Sequence, residues 1–360
     1  MTPFFVFSPF CVSLKNHIYI CVYNNFIGFM SIIDVTLSAT NLHNNNWRIH
    51  MKKNKLILSY ITAAISIVSS MSMASAQRLS GDVEVFTPRV QNESFGYSEA
   101  GARAPENWGN LTAFEGNECG IGRAQSPVNF LSRDIEDSSS TEAGTIEINY
   151  SPDRLAVENL GTTIEFPMSS SSNNNMVING VTYNLAQFHL HTPSEHTVDG
   201  AEYPLELHFV HVRQGAEGIP LSGLQFGDLA VLGVMVTEGD VTTAFPGNNG
   251  TQTLSQIVPR NENVEFIFSD NQVNPAALLP ELNEEGERPF YRYDGSLTTP
   301  PCSELVLWSV FNDPITMSTR QIRVFREALG DMRFAGRDGE NDRPTQPLNN
   351  REVVRGGVNN

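Results

Sequence analysis

Gln187-Phe188-His189-Leu190-His191, with Glu195-His196 just behind it and Glu206-Leu207-His208-Phe209-Val210-His211 a short way on, decides how this chain is read. Apolar residues alternate with imidazoles over residues 188–191. In an extended strand, residues two apart share a face, so His189 and His191 project side by side. Residues 205–212 are rich in strand formers, and a turn through Asp199-Gly200 returns them antiparallel, which brings His208 opposite the pair. A single histidine is usually a satisfied core or surface residue. Three neutral imidazoles with a fourth position left open instead make the zinc site of a hydrolytic or hydrating catalyst, whereas a structural zinc site closes all four positions, usually with thiolates. No cysteine lies nearby in sequence to close this one.

Working outward, the strand pattern repeats. Short alternating runs at residues 145–150, 163–166, 176–185, 229–236, 264–268 and 304–311 read as strands separated by turn residues, with antiparallel pairing dominant. Serine- and asparagine-rich tracts at 137–140 and 169–175 read as loops at strand ends. Helical patterning is scarce; the best case is residues 318–329, where Ile322, Phe325 and Leu329 fall on one face behind a Ser/Thr cap. The fold class is therefore mainly β, of the α+β kind, with few short helices and a single domain over about residues 95–356.

The first part of the chain reads differently. Residues 1–50 show no usable period and are expected to be a non-native upstream extension. Lys52, Lys53 and Lys55 then precede an apolar stretch at 56–68, and Ala74-Ser75-Ala76 follows, which is the layout of a signal peptide starting at Met51 and cleaved after Ala76. The apolar stretch falls short of the roughly 20 residues of a membrane span, so secretion or a periplasmic location is expected, without stable membrane insertion. Residues 77–94 are polar and aperiodic, a linker.

Residues 1–76 hold five of the 23 basic residues and one of the 40 acidic ones, leaving 18 basic against 39 acidic residues and no lysine in the remainder. Such a surface has no cationic footprint for nucleic acid. It suits a soluble protein in salty surroundings, with compositional drift as the plain alternative. Only Cys119 and Cys302 remain beyond the leader. In an exported chain two cysteines suggest one disulfide, with two buried thiols as the alternative.

Ordered blocks along residues 95–351 resemble the alpha-class carbonic anhydrases. They are Gly96-Tyr97, Asn107-Trp108-Gly109, Gln125-Ser126-Pro127-Val128-Asn129, the histidine segments, Ala230-Val231-Leu232-Gly233, Gly295-Ser296-Leu297-Thr298-Thr299-Pro300-Pro301 and Arg343-Pro344-Thr345-Gln346-Pro347-Leu348. The resemblance implies an enzyme that hydrates carbon dioxide reversibly to bicarbonate and a proton through attack by zinc-bound hydroxide. It also implies a large, mostly antiparallel sheet, with one zinc per chain at the base of a conical cleft. Residue by residue it implies His189, His191 and His208 as ligands, with Gln187 and Glu206, each two positions before a ligand on the same strand face, orienting the imidazoles. It makes Thr298 the acceptor of the hydroxide proton, passing its own to Glu195, with Thr299 lining the same pocket and Tyr97 ordering the cleft water. Val210, Val231, Leu297, Val306 and Trp308 match the apolar wall for carbon dioxide; without the resemblance they would read as core. Cys119 and Cys302 match the bridge of exported members. His196 and His211 match positions that are not ligands, and are assigned to structural hydrogen bonding.

One departure stands out. Where many fast members carry a histidine as proton shuttle, this chain reads Asn159-Leu160-Gly161-Thr162-Thr163. Export of a proton is served best by a group titrating near neutrality, so that step is expected to be slow here unless buffer substitutes. Two other readings share the histidines. A cupin-like metal enzyme would use His189, His191 and Glu195 as ligands, but its second motif is absent and the Thr298-Thr299-Pro300-Pro301 segment goes unexplained. A non-catalytic zinc-binding protein would keep the histidines without needing Glu195 or Thr298.

Overall fold

The computed structural model describes residues 95–358 apart from 99–100, 134–143, 170, 246–253, 263 and 331–338, together with 10–14, 18–22 and 83–86. The expected leader at 51–76 and the loop at 137–140 lie outside the described residues. The chain forms two compact units, Met1–Arg78 and Leu79–Asn360. Within the first, Phe10–Leu14 and Ile18–Val22 pair as an antiparallel hairpin.

The second unit is built on a 13-stranded sheet. From one edge inward run Val354–Val358, Arg288–Gly295, Val306–Phe311, Leu229–Glu238, Leu205–Arg213 and Val181–His191; beyond them lie Ile164–Pro167, Asp153–Asn159, Val264–Val273 and Val83–Phe86. The ladders along this path are antiparallel except where Leu229–Glu238 meets Val306–Phe311. The mainly β, mostly antiparallel architecture with few short helices is thus the one expected.

Some elements differ from the expectation in detail. Residues 176–185 are two strands, because Asn179 and Gly180 both adopt positive φ (51° and 80°) and turn the chain as a hairpin. Asp153–Asn159 and Arg288–Gly295 were not read as strands, since charged residues interrupt their alternation; in the second, Arg292 is buried and bonds Ser309 Oγ. Within the expected linker, Val83–Phe86 pairs antiparallel with Val264–Val273. The helix Thr319–Gly330 starts as foreseen, with Ser318 Oγ accepting the Gln321 N–H while Gln321 Oε1 reaches back to the Ser318 N–H.

The period-two alternation of the central strands sorts their side chains. Phe188, Leu190, Leu207 and Phe209 enter the large apolar core with Phe166, Phe245 and Phe325, where Phe166 and Phe188 stack at 4.6 Å and Phe188 and Phe209 at 5.2 Å. Val210, Val231, Val306 and Trp308 belong to a second cluster on the other face. His189, His191 and His208 share that second face, and His211 does not. A β-bulge between Val210 and His211 opposes Gln187 to Val210 but Leu185 to His211, skipping Ala186. His211, three residues after His208 and so in phase with Leu207 and Phe209 on its own strand, packs toward the first core, its Nε2 2.6 Å from Tyr150 Oη and its Nδ1 3.2 Å from the Ala230 carbonyl. Burial lowers its pKa to about 3, so it is a neutral partner of the tyrosine.

Candidate metal centre

Antiparallel register places His208 directly opposite His189, and Glu206 opposite His191. The three rings come together as expected, with nitrogens within 4.8 Å of one another. Each ring has one nitrogen engaged by an outer group. His189 Nδ1 lies 2.8 Å from Gln187 Oε1, His191 Nδ1 2.7 Å from the Asn341 carbonyl, and His208 Nε2 2.8 Å from Glu206 Oε1. All three partners are acceptors, so each holds the ring's proton on that nitrogen and leaves the other, Nε2 of His189 and His191 and Nδ1 of His208, as a bare lone pair. Burial lowers the pKa of all three, and repulsion among them adds for His189 and His191, which falls to about 3. All three are thus neutral imidazoles, the form a metal takes.

Glu206 is the hub. Its Oε1 takes both His208 Nε2 and His196 Nδ1 at 2.8 Å, and its Oε2 takes the backbone N–H groups of Glu195 and His196 at 2.9 and 2.8 Å. Burial alone would raise this carboxyl, but His196 and His208 outweigh it and hold the pKa well below the usual range. His196, Glu206 and His208 also lie close enough together to suggest a metal group. They form a hydrogen-bonded set instead: the other His196 nitrogen is spent on Tyr293 Oη at 2.6 Å, and Tyr293 in turn bonds Ser126 Oγ at 2.8 Å. His196 therefore has the structural role expected of it.

Glu195 lies beside the ligands. Its Oε1 accepts the Arg343 N–H at 2.9 Å, while Oε2 sits 3.4 Å from His191 Nε2 and 3.8 Å from His208 Nδ1. The Thr298 hydroxyl faces the same carboxyl and pulls its pKa down, though Oε2 has no partner at full hydrogen-bond geometry and burial keeps the pKa well raised. Thr298 is held in a tight loop in which Leu297 N–H donates to Ser303 O and Cys302 N–H to Thr299 O. The Cys119–Cys302 disulfide ties that loop across 183 residues. Tyr97 is buried against Trp108 and Phe95 in the cluster containing Cys302, and the Glu195 charge adds to the effect of burial in raising its pKa.

Val210, Val231 and Trp308 form one row across adjacent strands, with Leu297 and Val306 in the same cluster. Trp308 also braces the histidines. Its ring meets both His208 and His196 edge-on at 4.8 Å, and its Nε1–H donates to Ser296 O at 2.9 Å. Asn341 and Arg343 were not foreseen as parts of the site. They stand 150 and 148 residues from the groups they hold, and no local spacing announces them.

The donor set fits a zinc ion: three neutral imidazole nitrogens converge, and the buried Nε2 of His191 has no hydrogen-bond partner. Of the three histidines His189 is the one left partly exposed, so the cluster has an open side. A three-histidine centre with every ring oriented from behind and one side open is that of a metal-dependent hydrating or hydrolytic enzyme. The sequence profile of the eukaryotic-type carbonic anhydrases matches residues 103–356. A carbonic anhydrase of Nostoc sp. is 34% identical over 266 residues, 74% of this chain and 87% of that one. One of Neisseria gonorrhoeae is 34% identical over 260 residues, 72% and 87% of the two chains. Among solved structures, the alpha-carbonic anhydrase of Thermovibrio ammonificans in complex with the inhibitor sulfanilamide superposes with a TM-score of 0.58 at 36% identity, covering 72% of this chain and 98% of its own. The chain belongs to the eukaryotic-type, or alpha-class, carbonic anhydrase family.

Proposed function

We propose that this protein catalyses the reversible hydration of carbon dioxide to bicarbonate and a proton, with one zinc ion per chain held by His189 Nε2, His191 Nε2 and His208 Nδ1. The observation that carries the reading is the set of three outward acceptors, Gln187 Oε1, Asn341 O and Glu206 Oε1, which leaves one bare nitrogen per ring facing the other two. Zinc in such a site acidifies a bound water to a pKa near ~7, a value for which carbonic anhydrase is itself the standard example. The remaining work falls to the chain. Glu195, fixed by the Arg343 N–H, accepts a hydrogen bond from the Thr298 hydroxyl when ionised, which leaves the Thr298 oxygen to accept one in turn. Val210, Val231, Leu297, Val306 and Trp308 supply apolar surface for an apolar substrate, Thr299 lines the same pocket, and Tyr97 orders water beside Glu195. Export through the segment at 51–76 is part of this reading and is supported by the Cys119–Cys302 bridge.

Stopped-flow carbon dioxide hydration with and without a zinc chelator tests the reading, alongside zinc content by elemental analysis. Active protein should carry one zinc, His208→Ala should lose both metal and activity, and Glu195→Gln should keep the metal and lose most of the rate. Zinc lost from Glu195→Gln would instead mark Glu195 as a ligand and overturn the assignment.

A further inference from the structure

The ladder between Ile164–Pro167 and the histidine strand ends at the pair Glu165 and His189. Past that point, among the described residues, no strand pairs with His191, the last residue of its strand, on that side. The side chain of Asn341 occupies the place. Its Oδ1 accepts the Thr192 N–H at 2.8 Å, and its Nδ2 donates to Leu190 O at 3.0 Å and to Thr162 O at 2.9 Å. The Thr163 hydroxyl donates to the same Leu190 carbonyl at 2.6 Å. Backbone groups on both sides of His191 are thus tied to the 160–163 turn through one fully buried amide. An amide is suited to the position because it offers an acceptor and two donors together, while a carboxylate would set its oxygen against two carbonyls. Buried backbone groups left without such partners are costly, so the amide decides where this backbone sits.

We propose that the Asn341 side chain is a positioning residue for the metal centre, replacing the missing ladder beyond His189, setting the aim of His191 Nε2 and coupling it to the Thr162 turn. This rests on the three-histidine zinc site proposed above. It is distinct from the support that the Asn341 backbone carbonyl gives to the His191 ring, because substitution of the side chain leaves that carbonyl in the chain.

The full-length, zinc-loaded protein and its Asn341→Ala and Asn341→Ser variants are mixed with excess dipicolinate, and zinc release is timed. Cobalt(II)-loaded samples report ligand geometry through their visible absorption. Asn174→Ala is the control: Asn174 is a buried amide whose Oδ1 accepts the Ser151 N–H, and no bond joins it to residues 190–192. Release about 10- to 100-fold faster in the Asn341 variants, with altered cobalt bands, and release close to wild type in the control, is the expected result. Where Asn341→Ala does not fold, Asn341→Ser carries the same comparison. Unchanged release and spectra, equal acceleration in Asn174→Ala, or failure of both Asn341 variants to fold with zinc present would each overturn the proposal, the last because the role would then be fold-wide. A wild-type protein that takes up no zinc would overturn the site reading instead.

Discussion

Glu206→Gln isolates what the charge of the hub carboxylate does. Glutamine keeps the shape but has one acceptor and one NH2 group, whereas Glu206 accepts four N–H groups at 2.8 to 2.9 Å. If the NH2 takes the place of Oε2 it faces the backbone N–H groups of Glu195 and His196, which cannot give up their protons. If it takes the place of Oε1, His208 can satisfy it only by moving its own proton from Nε2 to Nδ1, the atom that serves the metal. Either way two charge-assisted hydrogen bonds, at ~1.5–3 kcal/mol each, are exchanged for weaker or opposed contacts. With partial recovery the net cost is about 2–3 kcal/mol, or roughly 30- to 150-fold in zinc affinity. Competition against a chelator of known affinity measures this directly, with kcat/KM in excess zinc as the companion assay. A dissociation constant within threefold of wild type would refute the argument that the Glu206 charge selects the His208 tautomer.

Other expectations follow from the same geometry. Burial, helped by Glu340 and Glu202, raises Asp342 to about 7. Because this folded pKa lies above the unfolded one, the linked stability is full below about pH 4 and is lost as pH rises through about 7, a change on the order of 2–4 kcal/mol. Asp342→Asn should therefore flatten the melting profile between pH 4 and 8 and melt higher than wild type at pH 8; an unchanged slope would count against it. Thr162→His should raise turnover and weaken its dependence on added imidazole, with kcat/KM unaffected. The same change at Gly161 should cost stability, because φ there is +79°. Wild-type turnover already fast and indifferent to buffer would show that another route carries the proton. Reducing the Cys119–Cys302 bridge removes a 183-residue closure worth about 5 kcal/mol in the chain-entropy model, and should lower Tm by on the order of 10 °C. An unaltered melt after complete reduction by mass would contradict this.

How much of this was legible in the sequence depends on how far the information is spread along the chain. The grouping of His189, His191 and His208 was readable because period two and imidazole chemistry coincide within eleven residues of one strand and nine of another. Gln187 and Glu206 followed from the same parity. The hairpin at Asn179-Gly180 was equally local and was passed over, since the apolar run continued across it. Asn341 and Arg343 reach His191 and Glu195 through a backbone carbonyl and a backbone N–H from about 150 residues away, so no spacing in their own neighbourhood reports it. Trp308 was readable as apolar but not as a brace beneath two histidines, a role set by its register beside Val231.

The extra residue at Ala186 has a consequence for how the strand tolerates change. Tyr183 and Leu185, at odd positions, share a core with Phe188 and Leu190, at even ones. The strand therefore switches phase midway: its outer half sends odd residues into the core, and its inner half sends odd residues to the histidine cluster. Deleting Ala186 would yield a more regular ladder and a worse protein. It would either turn Tyr183 and Leu185 out of the core or rotate His189 and His191 away from His208, although no residue in any of those roles had been altered.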